Sequence, residues 1–250
     1  MPRPTRDPHT ARAVWAPLLL ATAAVVYNDW VLEFLLPTGL DPRHSYVSEL
    51  YAADQRFHGL FGGIELLAAA LVGAGALLAR GRSPGRWEEA GWWSLVAFGA
   101  ASVADVAVPM RCAPSVESLC EAVNPWHTTT SALVHLALFA SMALLLTSAA
   151  LGAPPRPAVR RWGPWVLGTA MTTALATVGP LFGRPGWHGV PQRAHLLLVG
   201  VWFGLLAAAL RAEARPRPGT ARLPGRPVPR GVAPQPVSPY TCSAPENDGR

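Results

Sequence analysis

Six apolar stretches of about 20 residues dominate the sequence. They cover residues 14–36, 56–80, 89–110, 126–149, 160–182 and 191–211. About 20 residues of helix, at ~1.5 Å rise per residue, cross the ~30 Å hydrocarbon core of a bilayer. A backbone in lipid must satisfy its own hydrogen bonds, and these stretches do not alternate as barrel strands would. The sequence therefore predicts an all-α integral membrane bundle of six transmembrane helices.

Composition excludes an ordinary soluble domain. Half of the residues are hydrophobic, 14% are charged and the mean hydropathy is +0.23. The first apolar stretch continues to Leu36, which is longer than the apolar region of a signal peptide. We therefore expect this stretch to be retained as the first helix.

The arginines predict the orientation of the chain. All 21 basic residues are arginine, and 16 of them lie before helix one, after helices two and four, or at the end of helix six and beyond. The other five are Arg43, Arg56, Arg111, Arg184 and Arg193. The positive-inside rule then places both termini in the cytoplasm and the connectors after helices one, three and five outside the cell membrane.

The parts outside the helices have distinct characters. Residues 1–13 form a cytoplasmic N-terminal arm, and residues 212–250 hold nine prolines among arginines, which predicts a disordered cytoplasmic tail. No aromatic residues are interleaved with the tail arginines, so nucleic acid is not an expected partner. Cys112 and Cys120 share an outward connector, where a disulfide can form, whereas two unpaired thiols are the alternative.

Ionisable residues collect in the outer half of the predicted bundle. They include Asp29, Glu33, Glu65, Asp105, His127 and His135, with Ser131 on the same face of helix four and Arg193 at the start of helix six. At ~1.5 Å per residue, the acids of helices one and three fall within roughly 11 Å of the outer end, and Glu65 and His135 lie roughly 13 Å below it. Because each membrane-embedded charge costs ~2.5–3.5 kcal/mol, we expect these groups to converge on an outward-facing polar cavity.

The segment HSYVSELYA, residues 44–52, follows the first helix and carries unusual polarity for a connector. Its Ser45, Ser48 and Glu49 predict a cover or wall of the polar cavity, with bonds to Arg193, to helix N-termini or to a ligand. The alternative makes the two serines local turn caps and Glu49 a solvated surface charge.

These segments resemble a bacterial integral-membrane family known as domain of unknown function 998. The resemblance covers about residues 14–211 and lies in SYVSEL after helix one, DVAVP at the end of helix three, WHTTTSALVH opening helix four and PQR opening helix six. It implies a six-helix fold in a membrane and no established reaction.

Three functions remain open at this level. The favoured one is a non-catalytic protein that binds a lipid-like or small anionic ligand through Ser45, Ser48, Glu49, Asp29, Glu33, His127, Ser131 and Arg193. The second is a membrane-embedded hydrolase or acid–base enzyme acting on a lipid or prenyl substrate, with Glu65, Asp105, His127 and His135 as candidate catalytic residues. Asp105, His127 and His135 are also candidate metal ligands, although HxxxSxxxH is not a recognised metal motif. The third is a structural or accessory membrane protein. The sequence identifies neither a cofactor nor an oligomeric state.

Overall fold

A computed structural model describes residues 8–81, 85–120, 124–152, 156–184 and 186–215. All regular structure in these ranges is helical, which confirms the all-α class. The α-helices are α1 (Pro8–Val26), α2 (His58–Arg80), α3 (Arg86–Ala107), α4 (Pro125–Ala150), α5 (Pro157–Leu175) and α6 (Gly189–Ala214). Short 3-10 helices lie in the connectors at Asp29–Phe34, Val47–Tyr51 and Gly179–Phe182.

The helices pack in a closed ring in chain order. Each α-helix packs against the next one, and α6 packs back against α1. The connectors after α1, α3 and α5 meet at one end of the ring, which we call the Asp105 end. The end of α2 and the starts of α3 and α5 meet the end of α6 at the opposite end, which we call the Arg156 end.

Aromatic side chains fill the centre of the ring. Tyr27 directly after α1, Phe98 on α3 and Phe203 on α6 have ring centroids 5.6–5.8 Å apart in tilted and edge-on arrangements. Such pairs add about 0.5–1.5 kcal/mol each beyond the area they bury. Gly99 allows α2 and α3 to approach closely, because a Cβ at this position would lie 2.8 Å from the carbonyl oxygen of Ala69.

Within the described residues, five helical stretches are long and apolar enough to cross a membrane. They are Arg12–Phe34, His58–Arg80, Arg86–Ala107, Pro125–Ala150 and Gly189–Ala214. Large apolar side chains on the outside of the ring, such as Leu35 at 78% exposure and Trp126 at 75%, agree with a lipid environment. The apolar helices indicate a protein embedded in a membrane.

The fifth predicted span differs from the other five. Its α-helix, α5, covers 19 residues and is not among the stretches that qualify as spans. Arg160 and Arg161 in its first turns and a threonine-rich second half reduce its apolarity. The hydroxyls of Thr169, Thr172 and Thr173 donate to carbonyls one turn earlier, so they are satisfied within the helix.

The first predicted span is a helix with a break. The regular α-helix ends at Val26 and a 3-10 helix continues from Asp29 to Phe34. At the junction, Asn28 donates to the carbonyl of Ala24 and accepts a hydrogen bond from the Trp30 indole. An asparagine that bonds locally competes with the helical ladder, which accounts for the break.

The terminal segments overlap the end helices. Since α1 begins at Pro8 and α6 ends at Ala214, residues 8–13 and 212–214 are helical. The tail predicted to be disordered was residues 212–250. Its residues 216–250 lie outside the described residues, as do residues 1–7 of the predicted arm.

Candidate functional site

Asp105 is the centre of a buried polar cluster at the Asp105 end. It lies in the last turn of α3, and the residue is 7% exposed. Oδ2 accepts a hydrogen bond of 2.8 Å from the Tyr51 hydroxyl, and Oδ1 lies 2.7 Å from both the Thr130 and Ser131 hydroxyls. These hydroxyl contacts provide hydrogen-bond partners for both oxygens of the buried carboxyl group.

His127 approaches the same carboxylate. Its Nδ1 lies 3.4 Å from Asp105 Oδ1 and 3.2 Å from the carbonyl oxygen of Val108. Asn124 positions the histidine by capping α4, because its side-chain oxygen accepts from the backbone N–H groups of Trp126 and His127. Two acceptors around Nδ1 favour a proton on that nitrogen, which directs the lone pair to Nε2.

Arg193 belongs to a different cluster at the same end. Its Nε and Nη2 donate to the two carboxylate oxygens of Glu33 at 2.5 and 2.6 Å. Nη1 donates to the carbonyls of Pro42, Ser45 and Gly189 at 2.7, 2.9 and 3.1 Å. All three nitrogens of the guanidinium are therefore engaged within the fold. This saturation removes the basis for Arg193 as the partner of an anionic ligand.

Close packing at the start of α6 makes the arginine pair tight. A Cβ at Gly189 would overlap the carbonyl oxygens of Pro42 and Ser45. Ser45 is fully buried, and its Oγ donates to the carbonyl of Asp41 at 2.8 Å, as a turn-capping serine does. For Ser45, the local capping role is the one that the geometry favours.

Glu49 is buried at 1% exposure and is not a solvated surface charge. Its Oε1 accepts from the backbone N–H of Tyr46 at 2.8 Å, which closes a capping box around the short helix Val47–Tyr51. Its Oε2 accepts from the N–H and the hydroxyl of Ser115 at 3.0 and 2.6 Å. Glu49 therefore ties the connector after α1 to the connector after α3.

Further bonds hold residues 45–50, which we call the SYVSEL segment, across the end of the ring. The backbone N–H of Val47 donates to the side chain of Gln192 at 2.7 Å, and the Tyr46 hydroxyl donates to the carbonyl of Thr177 at 2.8 Å. Ser48 has only a long contact of 3.6 Å to the sulfur of Met110. The segment thus connects to α6 and to the connectors after α3 and α5.

Burial raises the pKa of Tyr46 to about 12, and the nearby Glu49 carboxylate adds to this shift. On the exposed rim of the same connector, hydrogen bonds from Arg43 lower the pKa of Asp41 to about 2. Desolvation lowers the pKa of His188, and the positive charges of His44 and Arg193 act in the same direction. The phenol is therefore neutral and the rim carboxylate ionised at neutral pH.

Asp29 and Glu65 are half-buried beside the Asp105 cluster. Both lie within electrostatic range of one another, and Asp105 also acts on Glu65. No described residue forms an ion pair with either side chain. Asp105, Glu65 and Asp29 therefore give this part of the ring an acidic character.

His135 is separated from the Asp105 cluster and pairs with His195. The two rings stack with centroids 5.0 Å apart and planes 20° apart. Each Nδ1 lies near a backbone carbonyl, Ser131 for His135 at 2.7 Å and Ala170 for His195 at 3.0 Å. Within the described ranges, no three His, Cys, Asp or Glu side chains are grouped closely enough to hold a metal ion. The candidate ligands Asp105, His127 and His135 are therefore not assembled around a common point.

The predicted outward cavity differs from the structure, because polar side chains fill the space themselves. Two small pockets lie at this end, among the connectors after α1 and α3. One, beside the Cys112–Cys120 disulfide, has room of about 10 Å³, and the other, near Phe57, has none. A volume of 10 Å³ is about the minimum for a single water molecule. The end of the ring is closed in this conformation.

A second buried charge cluster lies at the Arg156 end. Arg156, 5% exposed, donates to Glu88 Oε1 at 2.5 Å and to Glu213 Oε1 at 2.6 Å, and the Trp92 indole also donates to Glu88. None of these three charged residues was predicted from the sequence as part of a cluster. Their positions at the starts of α3 and α5 and the end of α6 could have indicated a meeting point, because those ends share one side of the membrane.

Other contact residues were also missed. Tyr51, Thr130, Ser115 and Gln192 each provide a hydrogen bond to the groups above. Tyr51 and Thr130 lie within the motifs HSYVSELYA and WHTTTSALVH, close to residues that were predicted as part of the site. Ser115 had only its place between two cysteines to mark it.

The fold and these clusters define an all-α membrane protein with polar networks at both ends. The family model described as Protein of unknown function (DUF998) matches residues 18–209, which is more than half of the chain. The chain belongs to the DUF998 family, as the SYVSEL and PQR segments predicted. No curated protein and no solved structure gave a match.

Proposed function

We propose that this DUF998 protein is a multi-pass protein of the cytoplasmic membrane that binds the polar headgroup of a lipid-like molecule at Asp105. The observation that carries the proposal is a buried carboxylate that three hydroxyls and a histidine surround near the end of two membrane helices. A membrane-embedded ionisable group with such support marks a functional site by default.

The charge of the site selects the headgroup chemistry. Glu33 neutralises Arg193, whereas Asp105 has acidic neighbours. A ligand with N–H or O–H donors can exchange with the Tyr51, Thr130 or Ser131 hydroxyls on the carboxylate oxygens. These carboxyl groups offer an anion no positively charged partner. The proposal therefore favours an amine- or hydroxyl-bearing amphiphile over a small anionic molecule.

The surrounding helix surface suits an apolar chain. Val103 on α3 and Leu133 and Leu136 on α4 are 46%, 49% and 66% exposed on the helices that carry Asp105 and Ser131. A ligand tail can lie along these side chains in the lipid phase while its headgroup enters between the helices. Entry requires the Tyr51 hydroxyl to leave Asp105, because that contact closes the site.

Retention of lipid tests the proposal. Purified full-length protein is released from detergent micelles for native mass spectrometry, and Asp105→Asn is compared with Glu89→Gln, which changes an exposed carboxyl on the same helix. We expect wild type and Glu89→Gln to carry a lipid-sized adduct that Asp105→Asn loses by about 10-fold or more, since a hydrogen bond to a charged group is worth ~1.5–3 kcal/mol. Equal adducts in all three proteins, or none in wild type, would refute ligand binding at Asp105.

The proposed orientation places the Asp105 end outside and both termini in the cytoplasm. The arginine distribution supports it. Cys242 then lies inside, while Cys112 and Cys120 lie outside. In intact cells treated with a reductant, a membrane-impermeant maleimide should label a Cys242→Ser variant and should leave a Cys112→Ser/Cys120→Ser variant unlabelled. The reverse pattern would overturn the orientation.

A second candidate function is acid–base chemistry on a lipid. The pairing of His127 Nδ1 with Asp105 Oδ1 at 3.4 Å favours it, because a carboxylate that orients a histidine leaves Nε2 as a general base. Release of a soluble headgroup from radiolabelled membrane lipids, lost in His127→Asn and kept in Glu89→Gln, would establish catalysis. Elemental analysis of wild type and His127→Ala tests metal involvement in the same preparation.

A further inference from the structure

The SYVSEL segment and the residue after it cover the Asp105 site. Tyr51 is the last residue of the short helix that begins at Val47, and its hydroxyl occupies Asp105 Oδ2 at 2.8 Å. The Tyr51 carbonyl oxygen also lies 2.6 Å from Nδ1 of His58, at the start of α2. Displacement of this helix would free one carboxylate oxygen of Asp105.

Glu49 makes the strongest attachment of the short helix to the connector after α3. This carboxylate is almost fully buried, and Ser115 supplies both of its hydrogen bonds from outside the segment. Hydrogen bonds to a charged acceptor are about twice as strong as neutral ones. A buried carboxylate that loses such donors must move toward water, so the position of Ser115 controls the position of the segment.

Ser115 lies within the loop that the Cys112–Cys120 disulfide closes. The described part of this loop has no regular helix, and turn bonds from Val116, Glu117 and Cys120 hold it together. A further turn-like bond joins the N–H of Ala113 to the Glu117 side chain at 3.4 Å. The disulfide joins the two ends of this loop, so it helps to hold Ser115 against Glu49.

The bridge is at the surface and open to exchange. Cys112 and Cys120 are half-exposed beside the water-sized pocket, and the exposed Arg111 precedes Cys112. These features suit a bridge that an external dithiol can reduce.

The geometry points to the Cys112–Cys120 disulfide as a redox-sensitive lock that keeps the SYVSEL segment closed over Asp105. This inference rests on the proposed function, because the lock would regulate access of a ligand to the same Asp105 site. A thiolate of a dithiol attacks one cysteine sulfur and expels the other as a thiolate, which takes up a proton. The second thiol of the reductant then closes its own disulfide and releases the second cysteine. The reductant loses two electrons and two protons, and the protein gains two thiols.

Hydrogen–deuterium exchange of the full chain in lipid nanodiscs tests the lock. A Cys242→Ser background removes the tail thiol. We expect dithiothreitol to increase exchange in residues 44–52 by on the order of 10- to 100-fold, the range that opening an eight-residue bridged loop gives in the chain-entropy model. Exchange in α2 and α4 should remain slow, and removal of the reductant with reoxidation should restore protection.

Two variants separate the lock from a general loss of structure. Ser115→Ala, with the bridge intact, should raise exchange in residues 44–52 by about 10-fold because it removes one bond to a buried charge. Ser118→Ala, an exposed serine of the same loop, should leave exchange unchanged. A Cys112→Ser/Cys120→Ser protein should resemble reduced wild type and should not respond to dithiothreitol.

The outcomes distinguish this inference from the proposed function. Unchanged exchange in residues 44–52 on reduction, or a uniform rise across all helices, would overturn the lock. Unchanged exchange in Ser115→Ala would overturn the route through Glu49. Hydrogen exchange measures the opening of the segment without any ligand. If reduction opens the segment while wild type and Asp105→Asn carry equal lipid adducts, the lock is retained and the lipid site is rejected.

Discussion

Breaking the Glu33–Arg193 pair from one side should cost far more than replacing both partners. The two residues are 5% and 6% exposed, and the carboxylate binds the guanidinium through two bonds of 2.5 and 2.6 Å. Glu33→Leu leaves a buried cation with carbonyls alone, and Arg193→Met leaves a buried anion. Loss of one partner of such a pair typically costs ~3–5 kcal/mol. The single variants should therefore lose about 10 °C in Tm, at ~2–4 °C per kcal/mol for a chain of this size.

The double variant Glu33→Leu/Arg193→Met removes both charges. The carbonyls of Pro42, Ser45 and Gly189 lose their Nη1 donor, so a cost of about 1–3 kcal/mol should remain. The double variant should then be more stable than either single variant, with a coupling energy of ~2 kcal/mol or more.

Thermal unfolding in a fixed detergent measures all three proteins. Asp41→Asn breaks the exposed Arg43 pair in the same connector and should leave the midpoint unchanged, because solvent screens that pair. The reasoning would be refuted if the single variants had the same midpoint as Asp41→Asn. It would also be refuted if the loss of stability in the double variant equalled the sum of the two single losses.

Three further predictions concern other parts of the fold. The Cys112→Ser/Cys120→Ser protein should lose about 2.5 kcal/mol of unfolding free energy in chemical denaturation, the chain-entropy value for an eight-residue loop; no loss would show that the bridge leaves the unfolded chain unconstrained. Because burial raises the pKa of Tyr46 to about 12, its contribution to stability should be complete below pH 10 and decline between pH 10 and 12, and Tyr46→Phe should remove that decline in pH-dependent Tm curves. Arg156→Met should destabilise by ~3–5 kcal/mol, and adding Glu88→Gln should recover part of the loss; a larger loss in the double variant would contradict a buried ion pair.

Sequence reasoning predicted the helices well because their signal is local. Apolar length alone marked each stretch. Asn124 and Pro125, a capping residue followed by a first-turn proline, are a local signal of the same kind for the start of α4. The break after Val26 was missed, because the hydropathy of the stretch continues through it while the hydrogen bonds of Asn28 interrupt the helix.

Part of the candidate site followed from helical periodicity. The polar face of α4 predicted that Ser131 and His127 would meet an acid, and both approach Asp105. The same periodicity grouped His135 with them, although the pitch of α4 carries this residue toward His195. The spacing of residues along one helix shows which of them share a face of that helix. It does not show which neighbouring helix lies opposite each of them.

Contacts between distant parts of the chain were not predictable from one sequence. Glu33 and Arg193 are 160 residues apart, and Glu49 and Ser115 are 66 residues apart. Their pairing depends on which helices are neighbours in the ring. The composition of the segments does not show the order of the helices around the ring. The predicted cavity failed for the same reason, since polar groups that find partners leave no space between them.

The last helix of the chain provides the partner of a buried charge at each end of the ring. Arg193, near the start of α6, neutralises Glu33, and Glu213, near its end, binds Arg156. During synthesis the earlier helices enter the bilayer first, so Glu33 has no Arg193 until α6 is made, whereas Arg156 can already bind Glu88 and gains its second acceptor, Glu213, from α6. Arrival of α6 thus serves as a checkpoint for assembly, and chains truncated before it should be recognised by membrane quality-control proteases.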